Sequence, residues 1–267
     1  MPRSAVPFPS HQPQPVTLHL HFRYATEAHW LFESLAYFIG FRAYLQLRKR
    51  SGDVVTAEQR WWVVAAAIAG AALGSKALNW FVDPLLFLRN WNNPYFLMSG
   101  KTVVGGLIGG LFAVEWVKRL IGVKRRTGDL FAIPLCAGIA IGRIGCFLAG
   151  LQDDAYGVAT NLPWGVDFGD GVARHPTQVY EVVWLGLVAL WLWRLSGRLR
   201  REGDMFKTFM VAYFAFRLFV EFIKPGAPIT DVVVGLTAIQ WACVAMLIYY
   251  APDLPRLIRI RMAEKND

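Results

Sequence analysis

The chain has 267 residues, of which 55% are hydrophobic and 18% charged, with a formal net charge of +9. A water-soluble domain carries about a quarter charged residues, so the composition points to a membrane protein. The basic residues sit in short stretches between apolar runs, which argues against a nucleic-acid partner and matches the loop asymmetry of membrane proteins.

The opening segment, MPRSAVPFPSHQPQPVT, is rich in proline and polar residues and lacks the apolar core of a signal peptide. Residues 1–28 are expected to form a flexible tail. Apolar stretches follow at roughly 29–47, 61–82, 102–121, 130–150, 178–196, 206–223 and 232–251. Each is near the length that crosses a bilayer as a helix. The expected fold is therefore all-α, a polytopic membrane protein of seven transmembrane helices in one domain, residues 29–251. A basic tail, 252–267, closes the chain. The third stretch, KTVVGGLIGGLFAVEWVKRL, is dense in glycine, which favours close helix packing. The polar segment 150–177 is long for a connector, and reads either as a lid or platform or as a solvated loop. Trp61, Trp62, Trp80, Trp91, Trp164 and Trp241 suit interface anchoring and core packing. Cys136, Cys146 and Cys243 fall in apolar runs, and their spacing suggests neither a disulfide framework nor a zinc site. No metal or cofactor is expected.

Charge assigns the sides. Arg48, Lys49, Arg50 and Arg60 follow the first stretch, and Lys118, Arg119, Lys124, Arg125 and Arg126 follow the third. Arg194, Arg198, Arg200, Arg201 and Lys207 follow the fifth, and Arg256, Arg259, Arg261 and Lys265 the seventh. The alternate loops are poor in basic residues and hold Asp83, Asp153, Asp154, Asp167, Asp170 and Asp231. The positive-inside rule then puts the N-terminus outside and the C-terminus in the cytoplasm.

With that orientation, Arg143, Arg217, Glu221, Glu33, Lys101, Arg174, His175, Gln178, Tyr180 and Glu181 all gather toward the outer leaflet. Ionisable groups within a membrane usually face the protein interior or a wet cavity. One reading is a structural ion-pair network, with Arg217–Glu221 on one helix and Arg143–Glu181 between helices. The other is an anion site, because two planar guanidiniums suit a phosphate. At this depth such a phosphate belongs to a phospholipid head group.

The segments GRIGCFLAG, LPWGVDF, RHPTQVYE and FRLFVEFIKP, in that order, resemble the prolipoprotein diacylglyceryl transferase family. Its motifs run approximately GR-x-GNF-x-NG, LPW, RHPSQLYE and FR-x-x-VEFFR-x-P. DPLLFLRNW and GGLIGG are similar to the stretch before and within its HGGL motif. The resemblance covers roughly residues 29–251 and is most specific in RHPTQVYE. It implies an inner-membrane enzyme that moves a diacylglyceryl group from phosphatidylglycerol to the lipobox cysteine of a prolipoprotein, with glycerol phosphate leaving. It implies that Arg143, Arg217 and Glu221 are catalytic, with Arg143 holding the lipid phosphate. Arg174, His175, Gln178, Tyr180 and Glu181 then belong to substrate binding.

Three positions depart from the family pattern. Val104 stands where the family has the histidine of HGGL, Cys146 replaces an asparagine, and Glu33 replaces a tyrosine of the first helix. The reaction needs a thiolate nucleophile, so it needs a base. Glu33 is one candidate and otherwise pairs with an arginine. His175 is another and otherwise anchors its loop. Cys146, one turn from Arg143, is either a nucleophile or a small packing residue. Lys101 either contacts lipid phosphate or snorkels to the interface. The alternative to the enzyme is a non-catalytic or re-specialised paralogue that binds an anionic phospholipid or lipoprotein. A transporter ranks last, because the charges gather on one side and no inverted repeat is visible.

Overall fold

The computed structural model describes residues 25–196, 201–225 and 235–257. Its helices in chain order are α1 (Ala25–Ser51), α2 (Ala57–Val82), α3 (Pro84–Asn90), α4 (Pro94–Met98), α5 (Val103–Leu120), α6 (Asp129–Ala149), α7 (Thr177–Leu195), α8 (Asp204–Val220) and α9 (Ala238–Tyr250). Each predicted apolar stretch overlaps a helix, the seventh only the 13-residue α9. Ala57–Val82, Asp129–Asp153 and Thr177–Leu195 are long and apolar enough to cross a membrane.

Several expectations need adjustment. The first helix begins at Ala25, so residues 25–28 belong to it, and the remainder of the expected tail lies outside the described residues. The C-terminal segment stays ordered at its start. A 3₁₀ turn, Ala251–Asp253, follows α9, and Arg256 pairs with buried Asp204 at 2.5 Å. Arg198, Arg200, Asp231, Arg259, Arg261 and Lys265, and the first residues of the stretch 232–251, lie outside the described residues. The short helices α3 and α4 were not expected. Each starts Asx-Pro: Asp83 accepts from Leu86 N at 2.9 Å and Asn93 from Tyr95 N at 3.0 Å, with proline at the first helical position.

Local signals set the other ends. Thr56 and Gln59 form a reciprocal capping box on α2, and Thr237 and Gln240 repeat it on α9. The N-terminus of α8 has no cap of its own. Asp129, at the start of α6, accepts from Gly203 N at 2.6 Å and Phe206 N at 3.0 Å instead. Thus one carboxylate caps a neighbouring helix and fixes its entry point.

The helices pack as α2 on α5 and α1 on α6, with α7 and α8 against α6 and α9 against α8 and the α2–α5 pair. The core is richest on α8, where Phe209, Met210, Tyr213 and Phe214 are fully buried against Leu185 and Leu192 of α7 and Cys243 of α9. The outer surface is apolar too. Phe38, Leu73, Trp193 and Phe219 are each more than 60% exposed. A surface that apolar all round is unfavourable in water and suits hydrocarbon.

The expected glycine packing lies between α2 and α5. A Cβ on Gly109 would lie 2.8 Å from the Cα of Gly74 and against the carbonyl oxygen of Gly70, all backbone atoms that cannot rotate away. Replacing Gly109 by leucine is therefore expected to push the two helices apart and cost at least about 1–3 kcal/mol, the usual penalty of overpacking. A thermal melt in detergent checks this; an unchanged midpoint would mean that the seam is loose.

The two ends of the bundle differ. At one end Arg60 is buried, 2.9 Å from Asp53 Oδ2 through Nε and 3.1 Å from the Thr127 carbonyl, with its guanidinium over the Phe131 ring. Arg48 joins the same carboxylate at 2.7 Å. The start of α1, the end of α6, the start of α7 and the end of α8 meet at the opposite end, where the candidate site lies.

Candidate functional site

Arg143 of α6 and Tyr213 and Arg217 of α8 converge on Glu181 of α7, and Glu221 of the following turn pairs with Arg217. Glu181 sits in the first turns of α7 and is 2% exposed. Arg143 of α6 brings Nε to 2.9 Å from Glu181 Oε2. Arg217 of α8 lies 3.5 Å from the same oxygen and donates to Glu221 Oε2 at 2.6 Å. Tyr213 donates to Glu181 Oε1 at 2.8 Å. Both expected ion pairs are thus present, and Glu181 joins them into one network. Isolated charges this deep are strongly disfavoured, so each guanidinium needs its carboxylate.

The pairing is incomplete. Neither Arg143 Nε nor Arg217 Nε has an aligned hydrogen-bond acceptor among the described residues. Among the described residues Arg143 Nη1 meets only the Cys146 sulfur, at 3.8 Å. Lys224 lies beyond the end of α8, after the 3₁₀ turn Glu221–Ile223. Burial, reinforced by Arg217 and Arg143, pulls its pKa down to about 8. Three cations therefore face two carboxylates, with N–H donors to spare. Such a cluster is chemically fitted to take an oxyanion.

Arg143, Arg217, Glu221 and Lys224 line a groove of about 1630 Å³ that runs along the bundle between the α1–α6 and α2–α5 pairs. Its walls are mostly apolar and include Ala36, Gly40, Ile68, Leu107 and Ile139. A binding site for a small polar molecule is typically about 300–1,000 Å³, so this one has room for long apolar chains.

Glu33 and Lys101 lie at the same end of the groove. Glu33 does not pair with an arginine. It takes Lys101 at 2.5 Å and the Tyr37 hydroxyl at 3.0 Å. Lys101 Nζ also sits 5.9 Å from the centre of the Trp30 ring. Lys101 is thus an ion-pair partner of Glu33 in addition to lying at a helix end. Beside them His29 stands between Glu33 and Asp153, near Cys146.

The motif RHPTQVYE divides in two. Glu181 joins the arginine network, whereas Arg174, His175, Gln178 and Tyr180 do not line the groove. Arg174, His175 and Tyr180 brace the segment 150–177. A two-residue hairpin, β1 (Val166–Asp167) with β2 (Ala173–Arg174), turns over Asp167, which accepts from three backbone N–H groups at residues 169–171. Arg174 binds Asp170 at 2.6 Å and holds that carboxyl below its usual pKa. Its guanidinium also covers the Tyr156 ring. His175 Nδ1 and Trp164 Nε1 both meet the Tyr180 hydroxyl, at 3.1 and 2.9 Å. These bonds favour the loop-anchor reading of His175. Gln178 is buried, and its amide has no partner among the described residues.

Sequence reasoning overlooked Tyr213, Lys224, His29 and Asp153. His29 had a usable signal, four residues before Glu33 and so on the same helix face.

The family model described as prolipoprotein diacylglyceryl transferase matches residues 15–251. The chain belongs to the prolipoprotein diacylglyceryl transferase family. Three relatives are named phosphatidylglycerol–prolipoprotein diacylglyceryl transferase. That of Bordetella parapertussis is 31% identical over 239 residues, covering 82% of this chain and 87% of its own. That of Methylobacillus flagellatus is 32% identical over 259 residues, covering 88% and 92%. That of Nitratidesulfovibrio vulgaris is 33% identical over 217 residues, covering 78% and 80%. Membership of this transferase family gives the groove and the arginine network a common context, a bacterial membrane enzyme.

Proposed function

We propose that the protein transfers a diacylglyceryl group from phosphatidylglycerol to the lipobox cysteine of a prolipoprotein, with glycerol phosphate as the leaving group. The observation that carries this reading is the Arg143–Glu181–Arg217–Glu221 network, with donors to spare, opening on an apolar groove in a chain of this family. In this reading Arg143 and Arg217 hold the phosphodiester and stabilise the charge that grows on it as the carbon–oxygen bond breaks. Glu221 orients Arg217, and Glu181 holds the two guanidiniums at a spacing that one phosphate spans. The groove takes the acyl chains. Cys146, Glu33 and Lys101 lie where the acceptor would enter. Arg174, His175 and Tyr180 act at one remove, by fixing the segment 150–177 over the site.

The same reading gives the protein seven membrane spans, an outer N-terminus and a cytoplasmic C-terminus. The evidence for it is the basic loops at the Arg60 end of the bundle. The site then faces the outer leaflet of the inner membrane, residues 29–251 form the transferase domain, and 252–267 form a cytoplasmic tail.

The test is a transfer assay with phosphatidylglycerol labelled in its head group and a lipobox peptide. Head-group release with a diacylglyceryl-modified peptide is the expected result. Lipid binding without release would instead mean a non-catalytic relative.

Lys224 supplies a pH signature. A lysine with a pKa near 8 is charged below that pH and neutral above it, so its attraction for a phosphate is present at neutral pH and fades as pH rises through about 8. Affinity for a glycerophosphate head-group analogue is expected to fall over that range. Lys224→Arg, which stays charged, is expected to flatten the profile. Calorimetric titration at a series of pH values checks it, and an unaltered slope in the variant would remove Lys224 from the site.

A further inference from the structure

At the groove end nearest Arg143, three unlike side chains from separate segments face one another. They are His29 of α1, Cys146 of α6 and Asp153, from the 3₁₀ turn Gly150–Asp153 after α6. One ligand atom from each, the His29 nitrogen, the Cys146 sulfur and an Asp153 oxygen, lies within 4.8 Å of the others. His29 Nδ1 is 3.6 Å from Asp153 Oδ1, too far for a hydrogen bond. That nitrogen is buried and has no hydrogen-bond partner among the described residues. Burying a polar atom without a partner is costly, so the arrangement calls for one. On the other side of the ring, Glu33 Oε2 lies 3.7 Å from Nε2 and is likewise buried and unpartnered.

We propose that His29, Cys146 and Asp153 hold a divalent metal ion of the zinc type, with Glu33 as the carboxylate that orients the imidazole from behind. Imidazole, thiolate and carboxylate are the donors such an ion takes. Tetrahedral bonds of about 2.0–2.3 Å place ligand atoms about 3.3–3.8 Å apart, a range that includes the Nδ1–Oδ1 separation. A carboxylate against the far nitrogen of a ligating histidine is the usual outer support of such a site. Three protein ligands leave one position open, and all four residues line the groove.

The open position has a use that rests on the transferase reading. A thiol that coordinates a divalent ion loses its proton and becomes the nucleophilic thiolate. The acceptor cysteine would bind there and release its proton to water. Its sulfur then bonds to the glyceryl carbon while that carbon's bond to the phosphate oxygen breaks. The electron pair leaves with glycerol phosphate, held by Arg143 and Arg217. No electron is gained or lost overall. Arg143 Nη1 is 3.8 Å from Cys146 Sγ, so thiolate and phosphate would meet across one helical turn.

The experiment strips the purified full chain with a chelator and titrates it with Zn²⁺ and, in parallel, Co²⁺. The expected result is one ion per chain and a thiolate-to-cobalt absorption band. Cys146→Ser should lose the band, and His29→Gln and Asp153→Asn should each weaken binding at least tenfold. A melt of each stripped variant, matching stripped wild type, separates ligand loss from misfolding. A wild-type chain that takes up no stoichiometric ion, or a Cys146→Ser chain that binds as well as wild type, overturns the site. Transfer that runs equally fast in stripped and reloaded protein overturns its catalytic use. Metal bound as expected with no transfer under any condition supports the site and overturns the transferase reading instead.

Discussion

Arg217→Ala is expected to lower the rate of diacylglyceryl transfer at least roughly a hundredfold, the effect of removing one preorganised donor from a developing anion. The reason is geometric. Arg217 is 4% exposed and bonds Glu221, yet its Nε has no acceptor among the described residues, so a phosphate can bind without breaking the existing pair. Removal also strands Glu221 and half of the attraction felt by Glu181, so the variant loses stability as well as activity. The control is Arg217→Lys. It keeps the charge, and with it most of the stability, but lacks the planar fork that binds a carboxylate and a phosphate at once. Low transfer in the lysine variant at a near-wild-type melting temperature would place the loss in chemistry. Recovery of full transfer by lysine would reduce Arg217 to a counter-ion.

Glu181→Ala is expected to be the most destabilising single change in the bundle, by about 3–5 kcal/mol, the cost of breaking a buried ion pair. Glu181 is the shared acceptor of Arg143, Arg217 and the Tyr213 hydroxyl. Without it two guanidiniums repel each other in a medium that screens them poorly, and a phenol loses its partner. The transferase reading adds a second outcome. An anionic phospholipid brings a replacement negative charge, so phosphatidylglycerol should raise the melting temperature of Glu181→Ala more than that of wild type. Melts in detergent with and without the lipid measure both quantities. Equal lipid-induced shifts would mean that the lipid phosphate does not reach these arginines.

The long helices were legible because each is an apolar run of nearly bilayer length, a signal that survives ignorance of tertiary contacts. Arg143, Arg217, Glu181 and Glu221 were legible for the opposite reason, as charges where charge is costly. The helices α3 and α4 hid in the connection 83–101, although VDPLL and NNPYF both carry the Asx-Pro start signal. His29 and Asp153 looked ordinary because each borders polar sequence. Their proximity depends on α1 packing against α6, where a Cβ on Gly145 would lie 2.7 Å from the Cβ of Phe32. RHPTQVYE was legible as a unit, since a motif reports that residues matter together without saying which of them meet. Glu181 reaches the arginines, whereas Arg174, His175 and Tyr180 hold the loop.

The unspent donors of Arg143 and Arg217 have a further consequence. In water, a departing phosphate is stabilised only after solvent molecules turn toward it, and that turning is part of the barrier. Here Glu181 and Glu221 have already aligned the guanidiniums, and the cost of the alignment was met when the helices packed. In the transferase reading, the reorganisation that a solvent performs during each reaction was performed once, during folding.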